Sequence, residues 1–120
     1  MSKINKYILF LAVFSLFFIA NCVPSSKYDD FAKCLTTKGV KFYGAFWCPH
    51  CAKQKQLFGG SFKYINYIEC STPDGKSQLP ICINTKIKGY PTFEFSDNSR
   101  LEGEQPLEVL AQKTGCTLPG

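Results

Sequence analysis

The sequence predicts an α/β fold in which a mixed central sheet is flanked by helices. Three observations carry this. From Tyr28 onward, β-favouring segments alternate with segments of helical periodicity, the pattern of a layered α/β domain. The last two β-favouring segments, 92–95 and 99–102, follow one another across a short Asp97-Asn98 turn, which supplies an antiparallel edge. A Cys-x-x-Cys pair, Cys48 and Cys51, falls where a β segment gives way to a helical one.

The elements follow in order. Phe31, Ala32 and Leu35 share a helical face within residues 28–37, with Asp29 and Asp30 suited to its first turn and Gly39 to its stop. Residues 40–47 are dense in aromatic and β-favouring side chains and read as a buried strand. Cys48 follows directly, and Pro49 suits the first turn of a helix. That helix should run to about Phe58 and end at Gly59-Gly60. Residues 62–69 read as a second strand, and Pro73, Asp74 and Gly75 as a turn. Residues 78–86 read as a short helix carrying Ile81 and Cys82, and Gly89-Tyr90-Pro91 as a break before the ββ pair. Pro106 opens a last helix over 107–113, closed by Gly115. The order is α-β-α-β-α-β-β-α, without repeats, in one domain over residues 28–120.

The N-terminus has a different character. Lys3 and Lys6 precede an almost wholly apolar run from Tyr7 to Ala20. As a helix it would span ~21 Å against ~30 Å of hydrocarbon, short for a crossing and suited to a signal-peptide core. Residues 1–21 therefore read as a targeting segment of lipoprotein type or an N-terminal anchor, and residues 22–27 as a tether holding Pro24, Ser25 and Ser26. Cys22, three residues after Ile19, resembles the lipidated cysteine of bacterial lipoproteins, although Asn21 stands where a small residue is usual. Cleavage without a lipid and an uncleaved anchor are the alternatives. Each places the rest of the chain outside the cytoplasm, on the periplasmic or outer face of a membrane.

Composition supports export. Seven cysteines in 120 residues favour an oxidising compartment, and the odd count leaves one unpaired, Cys22 on the lipid reading. The net charge is +5; with the two leader lysines removed, 12 basic residues face 9 acidic ones, or +3. These basic residues form no stripe, so nucleic acid is not an expected partner.

The chemistry centres on Cys48-Pro49-His50-Cys51. Thiol exchange needs a thiolate nucleophile. A helix N-terminus, with unpaired N–H groups and about half a positive charge, stabilises an anion. The second cysteine, one turn inward, can attack a mixed disulfide and release the partner. His50 beside Cys48 would stabilise the thiolate further, which leans the pair toward the oxidising end; its plain alternative is a solvated residue at a helix start. A c-type haem site would need His after the second cysteine, where Ala52 stands. Zinc could draw on Cys48, Cys51, Cys70 and Cys82, but the last two have 11 residues between them rather than a knuckle spacing. No metal is expected, and no cofactor beyond the redox-active disulfide. A purely structural Cys48–Cys51 bond would close too short a loop to contribute much.

The run Phe42-Tyr43-Gly44-Ala45-Phe46-Trp47-Cys48-Pro49-His50-Cys51, then Gln54 to Gly59, Glu69-Cys70, Ile87 to Thr92 and Leu101 to Glu104, resembles the thioredoxin-like domain fused to bacterial and plant vitamin K epoxide reductase (VKOR) homologues. The Cys-Pro-His-Cys tetrapeptide is also that of DsbA-type oxidases. The resemblance covers residues 31–116 and implies a thioredoxin-like fold. It implies Cys48 as exposed nucleophile, Cys51 as buried resolving thiol, and Pro91 as a cis-proline facing them. Tyr90 would offer backbone to a substrate, and Trp47 would pack beside the site or serve as ordinary core. It also implies a structural Cys70–Cys82 bridge, on the order of 3 kcal/mol for that loop. Position 42, where thioredoxins and DsbA proteins carry a buried acid, is Phe42 here, which fits the fused-domain family better.

A Cys34–Cys116 bridge would staple the two ends of the domain; two buried free thiols, or a pairing with Cys22, are the alternatives. No long apolar segment follows the leader. The expected partners are thus cysteine-containing exported proteins and, in trans, a membrane quinone-linked oxidoreductase of VKOR or DsbB type. The function expected is an extracytoplasmic thiol–disulfide oxidoreductase that donates disulfides. The reverse flow, as reductase or isomerase, is the alternative, and a non-enzymatic surface lipoprotein acting as a binding module the more distant one.

Overall fold

The computed structural model describes residues 27–120; the leader, Cys22 and most of the tether lie outside the described residues. Its elements are α1 (Asp29–Thr37), β1 (Lys41–Gly44), α2 (Pro49–Phe58), a 3-10 helix (Gly59–Tyr64), β2 (Tyr67–Glu69), α3 (Pro80–Asn84), β3 (Thr92–Glu94), β4 (Arg100–Glu102) and α4 (Leu107–Thr114). The sheet order is β2-β1-β3-β4, with β1 parallel to β2 and the other pairs antiparallel. This four-stranded mixed sheet flanked by helices has the thioredoxin-like architecture.

Strand β1 is central and covered on both faces, because successive side chains point to opposite sides. Phe42 pairs in register with Tyr67 and Phe93, and its ring meets those of Phe62, Tyr67 and Phe93. That face forms the main core with Phe31 and Leu35 of α1, Phe58 of α2, and Leu107 and Leu110 of α4. Tyr43 points the other way, into a smaller core with Cys70, Cys82 and Ile87.

Two disulfides tie this frame. Cys34–Cys116, with Cα atoms 5.9 Å apart, joins α1 to the segment after α4 and closes 82 residues. Cys70–Cys82, 5.5 Å apart, ties the end of β2 to α3 across 12 residues. In the chain-entropy account these loops contribute about 4.5 and about 3 kcal/mol.

Two expected strands are shorter than in the sequence reading, and the helix expected over residues 78–86 is only Pro80–Asn84. The strand expected over residues 40–47 stops at Gly44, and Cys48 is delivered by a turn in which its N–H donates to the Ala45 carbonyl at 3.1 Å. Phe46 and Trp47, which lengthened the apparent strand, are 56% and 51% exposed. The strand expected over residues 62–69 is only Tyr67–Glu69; the residues before it form the 3-10 helix. Gly59, at φ 57°, ends α2 and turns the chain. The aromatic residues there serve separate surroundings: Phe62 packs against Phe42 and Phe58, while Tyr64 lies under the ammonium groups of Lys33 and Lys63. Their two-residue spacing therefore does not report a strand.

Candidate active site

The turn after β1 brings Cys48 to the N-terminal edge of α2. It stands at the N-cap, in extended conformation (φ −79°, ψ 120°), and Pro49 opens the helix. Pro fits there because the first helical N–H has no partner within the helix. Cys48 is 6% exposed and Cys51, one turn further, is fully buried. They are the free cysteines among the described residues, so the pair is in its dithiol form. The Cys48 thiol donates to the Tyr90 carbonyl at 3.7 Å. The Tyr90–Pro91 peptide, next to that carbonyl, is cis.

Gly44 makes room for Cys51. A Cβ at that position would lie 2.8 Å from Tyr67 Cε2, 3.1 Å from Cys51 Sγ and 3.2 Å from Phe42 Cε2. The buried sulfur thus lies against bare strand backbone. Burial pushes the Cys51 thiol up from 9.0 to about 12; a hydrogen bond with Cys48 adds to this, and a backbone hydrogen bond at Ala45 and the charge of Lys55 oppose it. Cys51 is therefore a protonated thiol near neutral pH.

Glu69 braces the turn that carries Cys48. Its carboxylate accepts from the Phe46 N–H at 3.1 Å, the Ser71 N–H at 3.0 Å and the Tyr67 hydroxyl at 2.6 Å. Burial, reinforced by the bond to Glu69, holds the Tyr67 phenol well above the usual range. The neighbouring residues extend the brace: the Cys70 N–H donates to the Gly44 carbonyl at 2.8 Å, and Ser71 Oγ accepts from Trp47 Nε1 at 2.9 Å. Residues 69, 70 and 71 thereby hold positions 46, 44 and 47 respectively, and the Cys70–Cys82 bridge fixes that segment from behind.

Trp47 belongs to the rim rather than the core. Its ring meets Tyr90 edge-on, with centroids 6.0 Å apart. The Tyr90 hydroxyl accepts from Gln78 Nε2 at 2.8 Å, and the same amide donates to the Ile87 carbonyl at 2.9 Å. Cys48, Trp47, Tyr90 and Pro91 are thus assembled from two parts of the chain. His50 is placed differently from the sequence reading: its Nδ1 pairs with Glu104 Oε2 at 3.1 Å, and the sulfur of Cys48 bonds Tyr90 instead.

The sequence reading gave no role in the site to Tyr67, Ser71 or Gln78, and used Gly44, Gln54, Glu69 and Glu104 only as parts of a resemblance. One signal for the brace was available: Tyr67 and Glu69 lie two apart in a strand and so share a face. Among the described residues no group of His, Cys, Asp and Glu could hold a metal ion, and no helix is long and apolar enough to cross a membrane.

Fold and site together define a thioredoxin-like domain with a Cys-x-x-Cys dithiol at a helix N-terminus. No protein-family profile matches the chain. It is 45% identical over 92 residues to the thiol–disulfide oxidoreductase LTO1 of Arabidopsis thaliana, covering 72% of this chain and 24% of that protein. It is 30% identical over 100 residues to the probable protein disulfide-isomerase ER-60 of Schistosoma mansoni, covering 80% and 20%. It is also 30% identical over 74 residues to a thioredoxin domain-containing protein 5 homologue of Drosophila melanogaster, covering 54% and 17%. The names of these relatives describe a thiol–disulfide oxidoreductase, a probable protein disulfide-isomerase and a thioredoxin domain-containing protein. The chain spans a quarter or less of the length of these relatives.

Proposed function

We propose that this protein is an extracytoplasmic thiol–disulfide oxidoreductase that donates the Cys48–Cys51 disulfide to cysteine-containing exported proteins. The observation that carries the reading is the asymmetry of the pair: Cys48 at the rim beside the Tyr90 carbonyl, Cys51 buried behind it with its proton held tightly. A substrate thiolate attacks Cys48 Sγ, a substrate–Cys48 disulfide forms, and the Cys48–Cys51 bond breaks with its electron pair going to Cys51. Burial favours the neutral form of the displaced sulfur, so Cys51 takes up a proton and is slow to attack in return. A second substrate thiolate then attacks the substrate sulfur and releases Cys48. Two electrons have passed to the protein and one disulfide has formed in the substrate. Tyr90, Pro91 and Trp47 would line the path of the substrate backbone, and Pro49 and His50 would shape the approach to Cys48.

The two further disulfides, Cys34–Cys116 and Cys70–Cys82, support an oxidising compartment. Residues 1–21 would deliver the domain to the outer or periplasmic face and tether it to the membrane, with Cys22 as the site of lipid attachment. A membrane quinone-linked oxidoreductase of VKOR or DsbB type, acting in trans, would reoxidise the pair.

The similarity to a protein named as a probable protein disulfide-isomerase favours a second reading, in which electrons run the other way. The reduction potential separates them. A value near about −120 mV marks a disulfide donor and one near about −270 mV a reductant.

A further inference from the structure

We infer that Glu104 is a positioning residue that sets the redox poise of the Cys48–Cys51 pair by capturing His50, an inference that rests on reading this pair as the exchanging one. His50 and Gln54 lie four residues apart on α2 and so share one face of the helix. That face meets the segment joining β4 to α4. Gln54 is fully buried. Its amide nitrogen donates to the Gln105 carbonyl at 3.0 Å and its amide oxygen accepts the Gln105 N–H at 2.6 Å. This two-way clasp fixes the backbone next to Glu104. The Gln105 side chain closes the segment on itself, donating to the carbonyls of Glu102 at 3.1 Å and Gly103 at 3.3 Å. Glu104 is thereby presented to the imidazole at 3.1 Å.

The consequence is electrostatic. A disulfide is a stronger oxidant when the thiolate it yields is better stabilised. An imidazolium free to lie against Cys48 would provide that stabilisation. Here the carboxylate holds the ring at the β4–α4 segment, away from Cys48, and places a negative charge beside it that would offset the charge of a protonated ring. Glu104 therefore holds the pair less oxidising than its Cys-Pro-His-Cys sequence would make it.

The test is equilibration of the protein with glutathione. Two glutathione thiols become one glutathione disulfide as the Cys48–Cys51 bond breaks; two electrons pass to the protein sulfurs, and the protons go to those sulfurs or to water. The two groups are exposed and His50 stands two residues after Cys48, so Glu104→Gln should move the equilibrium toward the dithiol by about two- to fivefold. At 29.6 mV per tenfold for two electrons this is ~10–20 mV. Glu104→Asp should stay near the parent value, high salt should shrink the shift, and in a His50→Ala protein Glu104→Gln should shift less. Equal constants for the parent and Glu104→Gln overturn the inference. So do equal shifts from Gln and Asp, a shift indifferent to salt, or one unchanged without His50. Absence of any exchange at Cys48–Cys51 would overturn the underlying reading as well, an outcome distinct from exchange that ignores Glu104.

Discussion

Replacing Gly44 by alanine probes the contact beneath the buried thiol. The added methyl would lie 2.8 Å from Tyr67 Cε2, 3.1 Å from Cys51 Sγ and 3.2 Å from Phe42 Cε2, so at least one of the three must move. Tyr67 cannot give cheaply. Its hydroxyl is bound to Glu69 at 2.6 Å, Phe42 and Phe62 meet its ring edge-on, and the Lys55 ammonium covers it 4.1 Å from the centroid. Phe42 is fully buried in the centre of the sheet. Overpacking of this kind costs about 1–3 kcal/mol, offset by about 0.4–1 kcal/mol because alanine leaves the unfolded chain fewer conformations than glycine. The net expectation is a loss of ~1–2 kcal/mol, which for a domain of this size lowers the midpoint by ~5–15 °C. Thermal unfolding of the reduced protein, followed by circular dichroism with Cys34–Cys116 and Cys70–Cys82 intact, measures it. The displaced sulfur should also slow closure of the Cys48–Cys51 bond during oxidation. An alanine variant as stable as the parent, closing the bond at the same rate, would refute the tight packing of Cys51 against β1.

Three further expectations concern the same frame. The folded Cys51 thiol is pushed up to about 12 from 9.0, so the fold holds this proton more tightly than the unfolded chain does. The associated stability is complete below about pH 9 and declines as pH rises toward about 12; denaturant unfolding across that range should show a steeper decline for the reduced parent than for Cys51→Ala. Glu69→Ala removes one acceptor from two backbone N–H groups and the Tyr67 hydroxyl and should cost about 1–3 kcal/mol in denaturant unfolding, with faster amide exchange at Phe46. Replacing Cys34 and Cys116 together by serine should cost about 4.5 kcal/mol for a closed segment of 82 residues, while Cys48 still reacts with a small disulfide in protein that remains folded.

Much of the fold could be read from local signals. Helix α1 follows from the spacing of Phe31, Ala32 and Leu35, α2 from Pro49 after Cys48, and the β3–β4 hairpin from Asp97-Asn98 between two short β-favouring segments. The misreadings share one cause. Aromatic residues favour strands because they pack on a sheet surface, but Phe46 and Trp47 are spent on the rim, and Phe62 and Tyr64 on the 3-10 helix. Their surroundings are set by distant residues that no local window contains. The site divides in the same way. The Cys-x-x-Cys spacing and its place before a helix are local, so Cys48 and Cys51 stand out in the sequence. The groups that hold them are not local: Glu69 and Ser71 reach back 23 and 24 residues, and the His50–Glu104 pair spans 54. The one unusual backbone demand, a glycine facing a buried sulfur, is visible only once β1 and α2 are packed together.

The most direct measurement is capture of a covalent intermediate at Cys48. With Cys51→Ser, the Cys48 sulfur at the rim can join a partner cysteine but has no second thiol behind it to release that partner. The account predicts mixed disulfides that map to Cys48 by peptide mass spectrometry, dissolve on reduction, and vanish when Cys48 is also changed to serine. Persistence of the same adducts after loss of Cys48, or their complete absence with Cys48 present and the protein folded, would contradict it.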